Sequence, residues 1–260
     1  MSRPALVVVL VAASACGHGL HPAPADPIDD PAVLLARMSA RRAALPPASA
    51  TARVENYSKE GVAKGRVTVL ADVAGRLRVD AWSPSDDLLA ALYADTSSFT
   101  YFERGAPECL AGGSCRANVD RFLPIGLDLL DACGALRGVP PVRPPASPWR
   151  VSFDRRVGAY RLDSAVAGGG SQAIWVEDDG LPVRAEYADA AGRAYRMECS
   201  EFKGAGPGRR PWRIRFVDGA NRRDVTFRFK AIDAADTPAD EWRLECPKGL
   251  PVKQLPCEAP

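Results

Sequence analysis

Seven cysteines and two histidines are the side chains in this 260-residue chain best suited to chemistry. A thiolate can be a nucleophile, a metal ligand or half of a disulfide, and imidazole is the commonest general base at neutral pH. Spacing narrows these options. His18 and His21 both lie in a Gly/Pro-rich stretch near the N-terminus, outside any periodic segment. A His-based triad in the folded part is therefore disfavoured, and two histidines on an extended strand without a fixed third ligand do not make a metal site. Cys109, Cys115, Cys133, Cys199, Cys246 and Cys257 contain no C-x-x-C pair, so zinc is not expected. The acid pairs Asp29-Asp30, Asp86-Asp87 and Asp178-Asp179 sit in cap or turn contexts, where carboxylates commonly support the backbone. Gly204-Ala205-Gly206-Pro207-Gly208-Arg209-Arg210 lacks the Lys-Ser/Thr of a phosphate loop, and Pro211 follows it before a strand. No catalytic constellation emerges, and no metal or cofactor is implied.

Cys16 stands apart from the other six. It follows a charged start at Arg3 and an eleven-residue apolar run from Ala5 to Ala15, the pattern of a secretory signal over residues 1–15. The run is shorter than the about 20 residues that a spanning helix needs. Ala13-Ser14-Ala15-Cys16 resembles the lipobox of bacterial lipoproteins, with Ala where that motif prefers Leu. The resemblance implies cleavage before Cys16 and acylation of its thiol and amine, which makes membrane lipid a partner and gives a lasting anchor. Gly17 stands where an Asp would mark inner-membrane retention, so an outer-membrane anchor facing the periplasm is the expectation. Residues 16–30 then read as a Pro/Gly-rich spacer. Export places the other six cysteines in an oxidising compartment as disulfide candidates, and Cys109 with Cys115 is the expected pair, closing a small loop across Leu-Ala-Gly-Gly-Ser.

The elements that would position these groups follow from periodicity. With 47% apolar and 25% charged residues the chain can build an ordinary core, and a net charge of +2 implies no nucleic-acid partner. Asp30-Pro31 opens a helix to Leu45, with Val33, Leu34, Met38 and Leu45 as its apolar stripe, and Pro46-Pro47 ends it. From Thr51 the period falls to two. Alternation marks strands at Gly65 to Asp72, Arg76 to Trp82, Leu181 to Asp189, Tyr195 to Phe202, Trp212 to Val217 and Asp224 to Ile232. Asp178-Asp179-Gly180, Asp189 to Gly192 and Asp218 to Asn221 suit the hairpins between them. Asn118 to Leu123 and Gly126 to Leu136 return to helical spacing before a Pro-rich break. The fold class is mainly antiparallel β with helices (α+β): a strongly curved, incomplete barrel over residues 31–245 whose charged face is wet and whose other face is covered by helices, with 246–260 as a Cys- and Pro-containing tail. The inner face is predicted to carry Val67, Val69, Leu77, Val79, Phe99, Tyr101, Val183, Tyr187, Tyr195, Met197, Ile214, Phe216, Phe227 and Phe229, either as a packed core or as the lining of a ligand cavity. The run Arg209, Arg210, Arg213, Arg215, Arg222, Arg223 and Arg228 reads as a solvated face or a cationic patch.

The sequence resembles the LolA/LolB-like superfamily of periplasmic carriers and outer-membrane receptors of lipoproteins. The resemblance rests on the first helix, on Gly65-Arg66-Val67-Thr68-Val69-Leu70 followed by Gly75 to Pro84, on the central helices, and on Asp179 to Arg184 followed by Gly192-Arg193. It implies a half-barrel closed by helices, no enzymatic activity, and acyl-chain or lipoprotein cargo, with the lipoprotein start favouring the receptor-like side. It also implies a loop leucine that promotes transfer into the membrane, with Leu88 or Leu89 as candidates. Two alternatives stand beside it: an envelope lipoprotein whose inner face is filled by its own side chains, and, less favoured, an enzyme.

Overall fold

Asp30 starts the first helix by accepting the Ala32 N–H, at 2.8 Å, with Pro31 in the first turn where no partner for its nitrogen is needed. This computed structural model describes residues 20–236, 238 and 242–257. Helix α1 (Pro31–Ala44) leads into β1 (Ala48–Ser58), β2 (Gly61–Ala71), β3 (Leu77–Trp82), β4 (Leu88–Ala94), β5 (Phe99–Glu103) and β6 (Cys109–Gly112). Helices α2 (Arg116–Phe122) and α3 (Leu129–Leu136) interrupt the strands. Then follow β7 (Arg150–Asp154), β8 (Ala159–Ala165), β9 (Ser171–Val176), β10 (Pro182–Ala188), β11 (Ala194–Ser200), β12 (Arg213–Asp218), β13 (Arg223–Ala234) and β14 (Val252–Leu255).

All fourteen strands form one curved sheet that does not close, ordered β14-β6-β5-β4-β3-β2-β1-β13-β12-β11-β10-β9-β8-β7. It consists of two meanders joined where β1 pairs with β13, Val54 opposite Phe227. The pairs are antiparallel apart from β14, which runs parallel to β6 with Val252 opposite Cys109 and Leu255 opposite Gly112. Gly112 permits this approach, because a Cβ there would overlap the Leu255 carbonyl oxygen. The segment after 245 thus caps one edge of the sheet.

The cysteine pairing differs from the expected one. Cys109 bonds Cys246 and Cys115 bonds Cys257, across 137 and 142 residues of chain. The Cys109–Cys115 loop does not form because β6 pairs with the C-terminal segment, with the Cys109 N–H on the Pro251 carbonyl, so that each thiol meets its partner there. Cys133 and Cys199 are buried free thiols in the core, and burial pushes each up to about 12, so both stay protonated.

The inner face carries two packed regions. Helices α2 and α3 contribute Val119, Leu123, Leu129, Ala132 and Leu136 to a large core with β1–β6 and β11–β13. Helix α1 contributes Leu34 and Met38 to a smaller one with Tyr160, Leu162, Ile174, Val176 and Ala185 of β8–β10. The Asp178-Asp179-Gly180 turn locks onto α1: Arg37 donates to the Asp178 carbonyl, and Arg41 reaches Asp179 at 3.0 Å. Gly180 sits at φ +82, and a Cβ there would lie 2.7 Å from the α1 backbone. Part of the expected spacer is held too. The His21 N–H donates to Arg155 at 2.8 Å and the Ile28 N–H to the Tyr160 hydroxyl at 3.1 Å. Cys16 and His18 lie outside the described residues.

Val183 departs from the inner face. A register shift between Pro182 and Arg184 turns it to the outer side, where it packs with Trp175, while Ala185 and Tyr187 keep the inner parity. Arg161 and Arg184 lie over that Trp175 ring, each 4.8 Å from its centroid, and its indole N–H donates to Asp154 at 2.8 Å.

Candidate functional site: an apolar cavity between the sheet and the second helix

Alternation along β1, β2 and β3 sends Val54, Val67, Val79 and Ala81 to the same inner side. These residues are small for the space beneath the helices. The result is a cavity of about 590 Å³, lined also by Leu92, Tyr101 and Phe227 from the sheet and by Phe122, Leu123 and Pro124 from the end of α2. Its volume lies within the roughly 300–1,000 Å³ of small-molecule pockets.

The Cys115–Cys257 disulfide holds the start of the roof, and one carboxylate ties its far end to the sheet. Asp120 on α2 accepts the Gly126 N–H at 2.8 Å through one oxygen and Arg223 of β13 at 2.6 Å through the other. Phe122 then stacks on Tyr101, centroids 3.8 Å apart. The Tyr101 hydroxyl donates to Glu103 at 3.1 Å, and burial, with Glu103 alongside, pushes the phenol well above its ordinary range. Tyr101 is a neutral wall. Asn56 also lines the cavity, and its Oδ1 is buried with no hydrogen-bond partner among the described residues.

The mouth lies between two hairpins. Residues 61–66 are exposed and include Ala63, Lys64 and Gly65 at the rim; across from them stand Ser83, Pro84 and Leu89. Lys64 pairs with Glu55 at 3.6 Å and Arg66 with Asp86, so the rim is polar but largely neutralised. The two transfer-loop candidates begin β4. The Ser83 N–H donates to the Asp87 carbonyl and Asp86 adopts φ 65, which closes the turn at Ser83–Asp87 and restarts the strand at Leu88. Leu89 is 42% exposed at the rim.

The inner-face residues divide. Val67, Val79, Tyr101 and Phe227 reach the cavity. Val69, Leu77, Phe99, Met197, Ile214, Phe216 and Phe229 are packed in the large core. Tyr187 and Tyr195 line a separate polar hollow of about 570 Å³ with Arg150, Asp163, Glu186 and Arg196. The Tyr187 hydroxyl donates to the Pro141 carbonyl. Near them Asp131, on α3, is pushed up to about 6 by burial and the adjacent Asp128, despite Arg143 at 2.7 Å. Phe122, Leu123, Pro124 and Asn56 are cavity residues that strand parity and helix spacing had not singled out; the Leu-Pro step ending the helical pattern was their one signal.

Much of the basic run is ion-paired: Arg209 with Glu177, Arg215 with Asp224 at 2.6 Å, Arg223 with Asp120 and Arg228 with Glu201 at 2.8 Å.

No protein-family model and no curated protein sequence matches the chain. Solved structures do. A LolA superfamily protein from Nitrosomonas europaea aligns with TM-score 0.53 and 14% identity, covering 84% of this chain and 99% of that one. An outer membrane lipoprotein-sorting protein domain from Vibrio parahaemolyticus gives 0.56 and 10%, covering 80% and 94%. A DUF1329 family protein from Desulfovibrio piger gives 0.54 and 13%, covering 80% and 93%. By these alignments the open, helix-covered sheet is a divergent LolA/LolB-like fold.

Proposed function

We propose that the protein is a non-enzymatic acyl-chain carrier or receptor of the bacterial envelope that holds a lipid or the acylated end of a lipoprotein in the cavity beneath α2. The observation that carries this reading is the cavity itself: about 590 Å³ walled by aliphatic and aromatic side chains in a fold like those of a LolA superfamily protein and a lipoprotein-sorting domain. Each buried methylene is worth about 0.8 kcal/mol, so roughly ten of them would supply about 8 kcal/mol, the scale of micromolar binding. Asn56 offers the polar end of a guest one acceptor, and Leu89 and Pro84 at the rim give an entering chain apolar contact. Leu89, with Leu88 behind it, is the candidate for handing cargo to a bilayer. Acylation of Cys16 would tether the carrier to membrane lipid, in the outer membrane with the domain in the periplasm.

The test is displacement of a fluorescent fatty acid from the purified protein. Wild type is expected to bind with micromolar affinity. Ala81→Trp, which fills the cavity from the sheet side, is expected to lose binding while keeping the fold by circular dichroism. Equal binding by the two proteins would overturn the assignment.

A further inference from the structure

The outer face of the sheet carries an arrangement that strand pairing alone would avoid. Arg53 on β1 stands directly opposite Arg66 on β2 and opposite Arg228 on β13, and Arg228 stands opposite Arg213 on β12. Four arginines therefore form one row across four adjacent strands, spanning roughly 14 Å at the usual strand spacing. Like charges directly opposite one another are destabilising. Asp86 and Glu201 neutralise Arg66 and Arg228, which remain 46% and 40% exposed. Arg53 is exposed, and neither it nor Arg213 has a carboxylate partner among the described residues; the Nε of Arg213 is buried without an acceptor.

A second feature lies on the same face of the same hairpin. Counting by twos from Arg53 and Arg66 along β1 and β2 leads through Glu55 and Lys64 to Tyr57 and Val62, which face each other one pair short of the exposed Lys59-Glu60 turn. They are 42% and 57% exposed. Four residue steps of strand separate this apolar pair from the arginine row, roughly 14 Å. An exposed apolar pair beside a hairpin turn, with a line of cations set back by that distance, fits the chemistry of a bilayer surface, headgroup layer first and further phosphates behind.

We infer that the outer face of the β1–β2 hairpin and the adjoining β13 and β12 is a docking surface for an anionic phospholipid bilayer, with Tyr57 and Val62 entering the headgroup layer and Arg53 and Arg213 taking lipid phosphates. The surface meets the cavity only at its rim, where Lys64 and Arg66 stand, and acts whether or not the cavity carries a guest. It would present the tip, and with it the nearby cavity mouth, to the membrane.

The test is sedimentation with vesicles of phosphatidylcholine, with and without phosphatidylglycerol, using the oxidised chain from residue 16 onward carrying Cys16→Ser, so that neither the apolar run of residues 5–15 nor an acyl anchor contributes. The expected result is salt-sensitive binding to the phosphatidylglycerol vesicles and weak binding to the neutral ones. Arg53→Gln combined with Arg213→Gln should lower that binding about thirtyfold, Tyr57→Ser should weaken it further, and the cavity-filling Ala81→Trp should leave it unchanged. Absence of binding to the anionic vesicles, or binding that ignores both arginines, would overturn the inference. Arginine-dependent binding to soluble polyphosphate without binding to vesicles would overturn the bilayer as the occupant.

Discussion

The two covered regions of the inner face are built by the same alternation and end differently. Over β8–β10, α1 presses Leu34 and Met38 onto Tyr160, Leu162 and Ile174, and the hairpin turn at Gly180 touches the helix backbone. Over β1–β5, α2 is two turns long and ends at Phe122, leaving Val67, Val79, Ala81 and Leu92 with space above them. An apolar strand face thus demands a cover, and the length and anchoring of that cover decide between core and cavity.

Substitutions should break this comparison on the filled side first. Leu34→Ala opens a void in a site that cannot collapse, because Arg37 and Arg41 hold the helix to the turn; a loss of about 2–5 kcal/mol in urea unfolding is expected. On the cavity side, Ala81→Leu enters existing space and should change stability by less than about 1.5 kcal/mol while weakening acyl binding. Equal costs at the two positions would erase the distinction.

The disulfides sharpen the same contrast, since both lie at the cavity end of the sheet. With Cys109–Cys246 intact, replacing Cys115 and Cys257 together by alanine removes only the further closure of about 17 residues between the two bridges and should cost about 2–4 kcal/mol, read by thermal unfolding. Cys133 and Cys199, held as neutral thiols by burial, should resist alkylation until the protein unfolds.

A smaller effect concerns pH. Asp131 is pushed from 3.8 to about 6 in the folded protein, so between those values the fold binds the proton that the unfolded chain releases. Its contribution to stability is therefore greatest in acid and is lost as pH rises through 6. The melting temperature of Asp131→Asn should vary less across this window than that of wild type. The smallest effect is expected from Asp120→Ala, which frees the α2–α3 connection: about 1 kcal/mol in stability, with faster guest release in stopped-flow fluorescence.

Much of the fold is readable in the sequence because period and turn chemistry agree. Arg76 to Trp82 and Asp224 to Ile232 alternate cleanly, and Asp178-Asp179-Gly180 has the residues that a tight turn against a helix requires. Val183 was misplaced because one bulge inverts parity without any mark in the alternation. The disulfides were misassigned because partners about 140 residues apart depend on β14 lying beside β6, a parallel pairing of two four-residue strands with little pattern of their own. The cavity was legible only in part: Val67 and Leu77 obey the same rule, yet one lines the space and the other is sealed in the large core, and what covers each, rather than strand pattern, separates them.

The central claim is that a guest chain enters one region and is excluded from the other. Methyl NMR with a spin-labelled fatty acid tests it directly. The account predicts that signals of Val67, Val79 and Leu92 broaden while those of Leu162, Ile174 and Val176 stay sharp. Broadening of the second group, or of neither, would contradict it.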